Sequence, residues 1–362
     1  DCASGTSVRL GRTTGVEILP GEARLTGRSS KVKKLPIAIL RWVGRILLVA
    51  LILLLSLLVY LLVRESITRS KYRAEYPPPG RMISLDTHDI HLHCVGAGSP
   101  TVVFEADLDQ LGSLSWDRVQ SEVGESTRAC SYDRAGIMWS EPGPRPRDGE
   151  MIASELGALL ATAGEDGPFV LVGHAFGGAY VRIFAAQNPD AVCGMVLVDS
   201  NHPDQLARFA EVGIEKVIPE KQIRPLILLL SHLGMPGRFK GPQYSMPREV
   251  YDAEQAFMPI SSMAWFDESA EGPKTLEQAG RYESFGDIPL IVLASARPTW
   301  VSVEGRDLQD TWLELQQELT LLSENSELKI LEAGHYIQFD KPEVVVEAIQ
   351  QVVQQCLWDR VP

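Results

Sequence analysis

No two of the five cysteines (Cys2, Cys94, Cys130, Cys193 and Cys356) fall in a C-x-x-C pair, so neither a zinc centre nor a dithiol redox site is expected. Cys94, Cys130 and Cys193 sit in strand-like runs and are expected as small buried apolar residues. A disulfide stays open should the domain lie outside the cytoplasm, with no pairing assignable from spacing. Basic charge is scarce beyond the N-terminal region. Residues 1–73 carry 13 basic and 4 acidic side chains, so the rest of the 362-residue chain is left at −22 within a formal total of −13. An acidic domain opposes a phosphate backbone, which excludes nucleic acid as a partner. No internal repeat is present, so a stacked solenoid is not expected.

One long apolar run is present. Ile46 to Val63 reads ILLVALILLLSLLVYLLV, without a charge. About 20 such residues cross a bilayer core as a helix. A buried soluble helix would carry a polar stripe, and none is seen here. The expected organisation is a disordered basic tail over 1–35, a transmembrane helix over 36–66, a proline-rich linker over 67–80 and one large domain over 81–362. Arg24, Arg28, Lys31, Lys33, Lys34, Arg41 and Arg45 precede the span, which favours a cytoplasmic N-terminus and an extracytoplasmic domain.

From Arg81 onward, strand-like and helix-like stretches alternate. Met82–Leu85 and Ile90–Val95 read as an antiparallel pair; Thr101–Glu105, Arg128–Tyr132, Phe169–Val172, Met195–Val198, Pro289–Leu293 and Leu328–Leu331 read as later strands separated by helices. That pattern predicts an α/β fold with a mostly parallel eight-stranded sheet covered on both faces. Between about 201 and 287 the alternation stops and helix-leaning, proline-punctuated segments take over, which reads as a cap. Its apolar residues, Met235 and Trp265 among them, are suited to roof a greasy pocket.

The chain is organised around Phe169-Val170-Leu171-Val172-Gly173-His174-Ala175-Phe176-Gly177-Gly178. An apolar strand rising into small residues and then a helix is the pattern of the G-x-S-x-G nucleophile elbow. The central residue is Ala175, so the frame is present without its nucleophile. His335, in the loop Gly334-His335 after the last strand, is the candidate general base. The loop after the penultimate strand, Ala294 to Trp300, holds no acid, which makes Asp199 at the tip of the strand after the elbow the preferred partner, with Asp307 or Glu304 as alternatives. His91 and His93 share a strand face without a third ligand nearby, so no metal is expected.

Tyr132-Asp133-Arg134-Ala135-Gly136, Trp139 to Pro144, Gly173 to Gly178, Val196-Leu197-Val198-Asp199-Ser200 and Gly334-His335 occur in the order found in the α/β-hydrolase superfamily, and the chain from about Arg81 resembles its bacterial esterase-type branch. The resemblance implies Ala175 at the nucleophile position, Asp199 as acid, His335 as base, and an oxyanion hole made by the Phe176 N–H with a backbone N–H after Ala106, taken as that of Leu108. Asp107, His174, Met235 and Trp265 are the expected pocket residues. No cofactor is implied, and the expected partners are a small hydrophobic ester and the lipid bilayer. Asp107 and Asp109 depart from the glycine-containing oxyanion loop of such enzymes; two carboxylates there would oppose an oxyanion unless their side chains point away and only one backbone N–H, that of Leu108 or Asp107, is used. Alanine at 175 reads as an inactivating Ser→Ala substitution, or alternatively as the mark of a natural non-catalytic binding homologue. Amide or carbon–carbon bond hydrolysis on the same triad is a further alternative, while chemistry on an aspartate nucleophile at 175 is disfavoured.

Overall fold

The structure, a computed structural model, describes residues 37–213, 218–234, 246–297 and 305–358. The expected basic tail at 1–35 lies outside them. The chain forms two units, 1–55 and 56–362. Helix α1 (Ile37–Glu75) begins in the first, where its apolar side chains are exposed on all sides, and it is long and apolar enough to span a membrane. It continues beyond the apolar run, so the stretch 67–75, expected as linker, is helical. No proline or glycine interrupts the chain there before Pro77.

The second unit is built on eight strands: β1 (Arg81–Ser84), β2 (Asp89–Val95), β3 (Thr101–Glu105), β4 (Ala129–Tyr132), β5 (Phe169–His174), β6 (Val192–Val198), β7 (Leu290–Ser295) and β8 (Ser326–Leu331). They lie in the order β1-β2-β4-β3-β5-β6-β7-β8. β2 runs antiparallel to both its neighbours, and every pairing from β4 to β8 is parallel. The central strands β5 to β7 are largely apolar along their length because successive side chains enter different cores. Phe169 and Leu171 of β5, Met195 and Leu197 of β6, and Leu290 and Val292 of β7 pack with helices α3 (Gly149–Ala163) and α4 (Phe176–Gln187). Val170 and Val172, Val196 and Val198, and Ile291 and Leu293 pack on the opposite face with α2 (Asp117–Gly124) and α11 (Pro342–Trp358).

Between β6 and β7 the described residues form four helices, α5 (Gln205–Glu211), α6 (Arg224–His232), α7 (Arg248–Ala270) and α8 (Gly272–Gly280). Helix α9 (Gly305–Leu319) follows β7, and the short α10 (Ile337–Asp340) follows β8. The cysteines differ from the expectation of isolated apolar residues. Cys94 and Cys130 face each other across β2 and β4 and are joined, and Cys193 of β6 is joined to Cys356 of α11. Both pairings depend on strand register and helix docking, which spacing in the chain does not encode.

Candidate active site

The elbow forms where β5 meets α4. His174 pairs with Val198 across β5 and β6, so Ala175 and Asp199 leave the sheet side by side. Ala175 sits at φ 49°, ψ −116°, a conformation that costs a non-glycine residue about 1–3 kcal/mol. It is held there by hydrogen bonds from its own N–H to the Val198 carbonyl (3.0 Å) and from the Asn201 N–H to its carbonyl (3.0 Å). A Cβ at Gly177 would run into the Glu105 and Ala106 carbonyls, so glycine there lets α4 approach β3 closely. The strained turn is thus complete around a methyl group.

His335 and Asp199 are brought together. The His335 Nδ1 lies 2.7 Å from Asp199 Oδ2, and Asp199 is fully buried at φ 44°. Asp199 also accepts from the Ser295 N–H (2.8 Å), the Ser295 hydroxyl (2.9 Å) and the Trp312 indole N–H (2.9 Å). The end of β7 and helix α9 therefore contribute donors to an acid that follows the neighbouring strand β6. Glu304 lies outside the described residues, as does the side chain of Asp307. His174 is fully buried beneath the dyad: its Nε2–H donates to the His335 carbonyl (2.9 Å), and the two rings are 4.7 Å apart. Burial, then the neighbouring His335, pushes its pKa down to about 4, so it stays neutral.

The two N–H groups expected to hold an oxyanion converge on one oxygen atom, and that atom belongs to the protein. Asp107 Oδ1 accepts from the Leu108 N–H (2.6 Å) and the Phe176 N–H (3.1 Å). Its Oδ2 lies 3.9 Å from His335 Nε2. This carboxylate, whose direction the sequence leaves open, therefore points at the two amides. Two amides, one of them that of Phe176 at the N-terminal end of α4, and an imidazole favour an anion at this spot, and the Asp107 carboxylate occupies it. Burial opposes ionisation of Asp107, but His335, His174 and the Phe176 N–H outweigh it and hold the carboxyl below the usual carboxylate range. Burial likewise pushes the His335 imidazole down, while Asp107 and Asp199 push it further up, to about 10. Asp109 is raised to about 8 by burial and by the Asp107 charge, with its Oδ2 accepting from the Tyr336 hydroxyl (3.1 Å). Near neutral pH the loop thus holds an ionised Asp107, an imidazolium and a largely protonated Asp109.

Arg134 fixes this loop. Its Nη1 donates to Glu105 (2.7 Å) and to the Ala106 carbonyl (2.9 Å), and its Nη2 to the Asp107 carbonyl (2.6 Å) and Glu268 of α7 (2.9 Å). The guanidinium stacks 5.0 Å from the Tyr180 ring, and Tyr132 donates its hydroxyl to Glu105. The motif residues 132–136, noted in the sequence only as a likeness, are thus the anchor of the oxyanion loop. A cavity of about 80 Å³ opens beside it, lined by Leu108, Phe176, Leu206, Ile218, Trp265 and Gly272 among others. Trp265 lines this space as expected; His174 packs under His335 instead, and Met235 lies outside the described residues.

The comparisons with known proteins agree with this frame. An uncharacterized vacuolar membrane protein of Saccharomyces cerevisiae is 32% identical over 139 residues, which are 34% of this chain and 22% of that protein. The chain thus spans about a fifth of that relative's length. An esterase from Thermogutta terrifontis superposes with a TM-score of 0.52 at 16% identity, over 76% of this chain and 98% of the other. The epoxide hydrolase CorEH superposes with a TM-score of 0.53 at 19% identity, over 75% and 97%. At these identities the solved structures share the fold alone. The sequence profile of the alpha/beta hydrolase family matches residues 90–348, the span from β2 into α11 that carries the elbow, the Asp199–His335 pair and the cap, and the chain belongs to that family.

Proposed function

We propose that the chain is built as a carboxylic ester hydrolase for a hydrophobic ester, with Ala175 replacing an ancestral serine. The 2.7 Å contact between His335 Nδ1 and Asp199 carries this reading, because it leaves Nε2 on the side of the elbow amides. With a hydroxyl at 175 and the Asp107 carboxylate, which helps hold His335 protonated, moved away or removed, the neutral His335 Nε2 takes the serine proton as the oxygen attacks the ester carbonyl, Asp199 steadies the imidazolium, and the Leu108 and Phe176 amides hold the tetrahedral oxyanion. Water then releases the acyl group through the same histidine. The apolar cavity beside Leu108 and Trp265 suits an acyl or alkyl group.

Asp107 has to leave the amides before a substrate carbonyl can use them. Hydrogen bonds to a charged group contribute about 1.5–3 kcal/mol each, so two of them slow ester turnover by about 10²–10⁴-fold. The test is p-nitrophenyl ester hydrolysis across acyl lengths. The unmodified chain is expected to be inert through residue 175, Ala175→Ser weakly active, Ala175→Ser with Asp107→Ala strongly active, and the further change His335→Ala silent. A folded Ala175→Ser, Asp107→Ala protein without turnover removes this reading in favour of a second one, a ligand-binding homologue, which the filled oxyanion hole also favours.

We further propose a single-pass anchor with the hydrolase domain in an oxidising, extracytoplasmic space, supported by the basic flank before α1 and by two disulfides. Cys94, Cys130, Cys193 and Cys356 are expected to resist maleimide in the denatured protein until a reductant is added. Immediate labelling of all four would remove the proposal.

A further inference from the structure

We propose that Asp107 is itself a nucleophile, displaced from the elbow to the oxyanion loop, and that the unmodified chain hydrolyses small apolar epoxides through an ester formed on this carboxylate. The reading above concerns position 175 and its serine form; this inference goes beyond it to the chemistry of the chain as it stands.

The geometry separates the two oxygens of Asp107. Oδ1 is held by the Leu108 and Phe176 amides at 2.6 and 3.1 Å, and Oδ2 faces His335 Nε2 at 3.9 Å. A carboxylate bound in this way has Oδ1 in place to carry negative charge later, and leaves Oδ2, outside the amide pair and beside the His335 imidazole, as the oxygen that attacks. The amides that elsewhere cradle a substrate's carbonyl would here cradle the carbonyl of the enzyme's own ester. Arg134 holds the Ala106 and Asp107 carbonyls, which fixes the backbone that carries this carboxylate. Ala175 contributes only a methyl group beside it, and Leu108 and Phe176 line the apolar cavity.

The chemistry selects the substrate class. A carboxylate attacking an ester or amide forms an anhydride that expels the weaker base, the carboxylate, and returns to the start. At a saturated carbon it forms a stable ester, and ring strain makes an epoxide reactive without a separate leaving group. The nascent alkoxide needs a proton, which His335, held as an imidazolium between two carboxylates, supplies at Nε2; a halide would need none.

In the first step Asp107 Oδ2 bonds to a ring carbon, the ring C–O bond breaks, and the ring oxygen takes the Nε2 proton. In the second, neutral His335 takes a proton from water as the water oxygen adds to Asp107 Cγ, and the negative charge gathers on Oδ1 between the two amides. Collapse breaks the Cγ–O(alkyl) bond, the departing oxygen takes the proton back from His335, and the new carboxyl returns its own proton to His335. The sum is epoxide plus water to vicinal diol, with Asp107 and His335 restored.

The test uses the full chain in detergent with styrene oxide and 1,2-epoxyalkanes in H₂¹⁸O. Repeated turnover is expected to place ¹⁸O in the peptide that contains Asp107, and the diol of a single turnover with excess enzyme is expected to carry ¹⁶O from the carboxylate. Asp107→Asn is expected to lose on the order of 10³-fold or more in diol formation. The labelling needs no variant, so a folding failure of Asp107→Asn leaves the experiment decisive. Diol formed without label in that peptide means direct water attack and overturns the proposal. No diol and no label overturns it too, and Asp107 is then a plug; ester turnover by Ala175→Ser with Asp107→Ala would at the same time leave the esterase reading standing. Labelling of Asp107 together with an inert Ala175→Ser, Asp107→Ala variant would support the present inference and remove the other.

Discussion

Replacing Arg134 by methionine keeps the length of the side chain and removes the only cation bonded to both Glu105 and Glu268 among the described residues. The side chains of Arg134, Glu105 and Glu268 are exposed by 3%, 1% and 0%, so no water replaces the guanidinium. Glu105 is left with the Tyr132 hydroxyl and Glu268 with Arg147 at 3.9 Å, and the Ala106 and Asp107 carbonyls lose the guanidinium donor at the same time. Breaking a buried ion pair by removing one partner costs about 3–5 kcal/mol, and that is the expected loss in urea unfolding of the detergent-solubilised chain. The loss also depends on pH. A buried carboxylate without its cation holds a proton in the folded state that the unfolded chain releases near its ordinary pKa, so stability falls as pH rises. The gap between parent and Arg134→Met is therefore expected to be widest near pH 8 and to narrow towards pH 5. Adding Glu105→Gln and Glu268→Gln is expected to recover more than half of it. A gap below about 1 kcal/mol, or one independent of pH, would refute the assignment of Arg134 as the electrostatic anchor of the oxyanion loop.

Trp312→Phe removes one of the donors to the Asp199 carboxylate while keeping the ring, and is expected to cost about 1.5–3 kcal/mol of stability. In the Ala175→Ser, Asp107→Ala background it is expected to lower kcat more than it raises KM, because it loosens the group that orients His335; a change confined to KM would contradict that role. His335, displaced from about 6.5 to about 10, stabilises the fold fully below pH 6.5 and loses that contribution as pH rises through 10. Asp109, raised from 3.8 to about 8, acts with the same sign between those values. The melting temperature is accordingly expected to fall from pH 6 to pH 9, and Asp109→Asn to flatten the part below pH 8. A melting temperature that climbs over this range would contradict both assignments.

The fold was legible in the sequence because each of its elements has a local cause. Apolar runs such as Val170 to Val172 require burial on both sides, and Gly173 to Gly178 admits one tight strand-to-helix turn. His335 and Asp199 were legible as well, since both follow the C-terminal ends of strands, β8 and β6, that a parallel sheet must bring to the same edge. Ser295 and Trp312 carried no signal of their own. The serine that ends β7 and a tryptophan of α9 become donors to Asp199 only once β7 pairs with β6 and α9 packs back across them.

The tertiary structure alone decided the direction of the Asp107 side chain. Sequence chemistry says that a carboxylate opposes an oxyanion, and it leaves the direction of the Asp107 side chain open. It does not say that the hole lacks an anion until a substrate arrives, nor that Arg134 pins the loop within a bond of it. The disulfides show the same division. Five cysteines are a fact of the chain, whereas Cys94 opposite Cys130 and Cys193 beneath Cys356 are facts of register and docking. Local propensity and periodicity determine which segments become strands, helices and turns. Which charged groups then meet is set by distances between segments far apart in sequence, and only the assembled sheet and its helices define those distances.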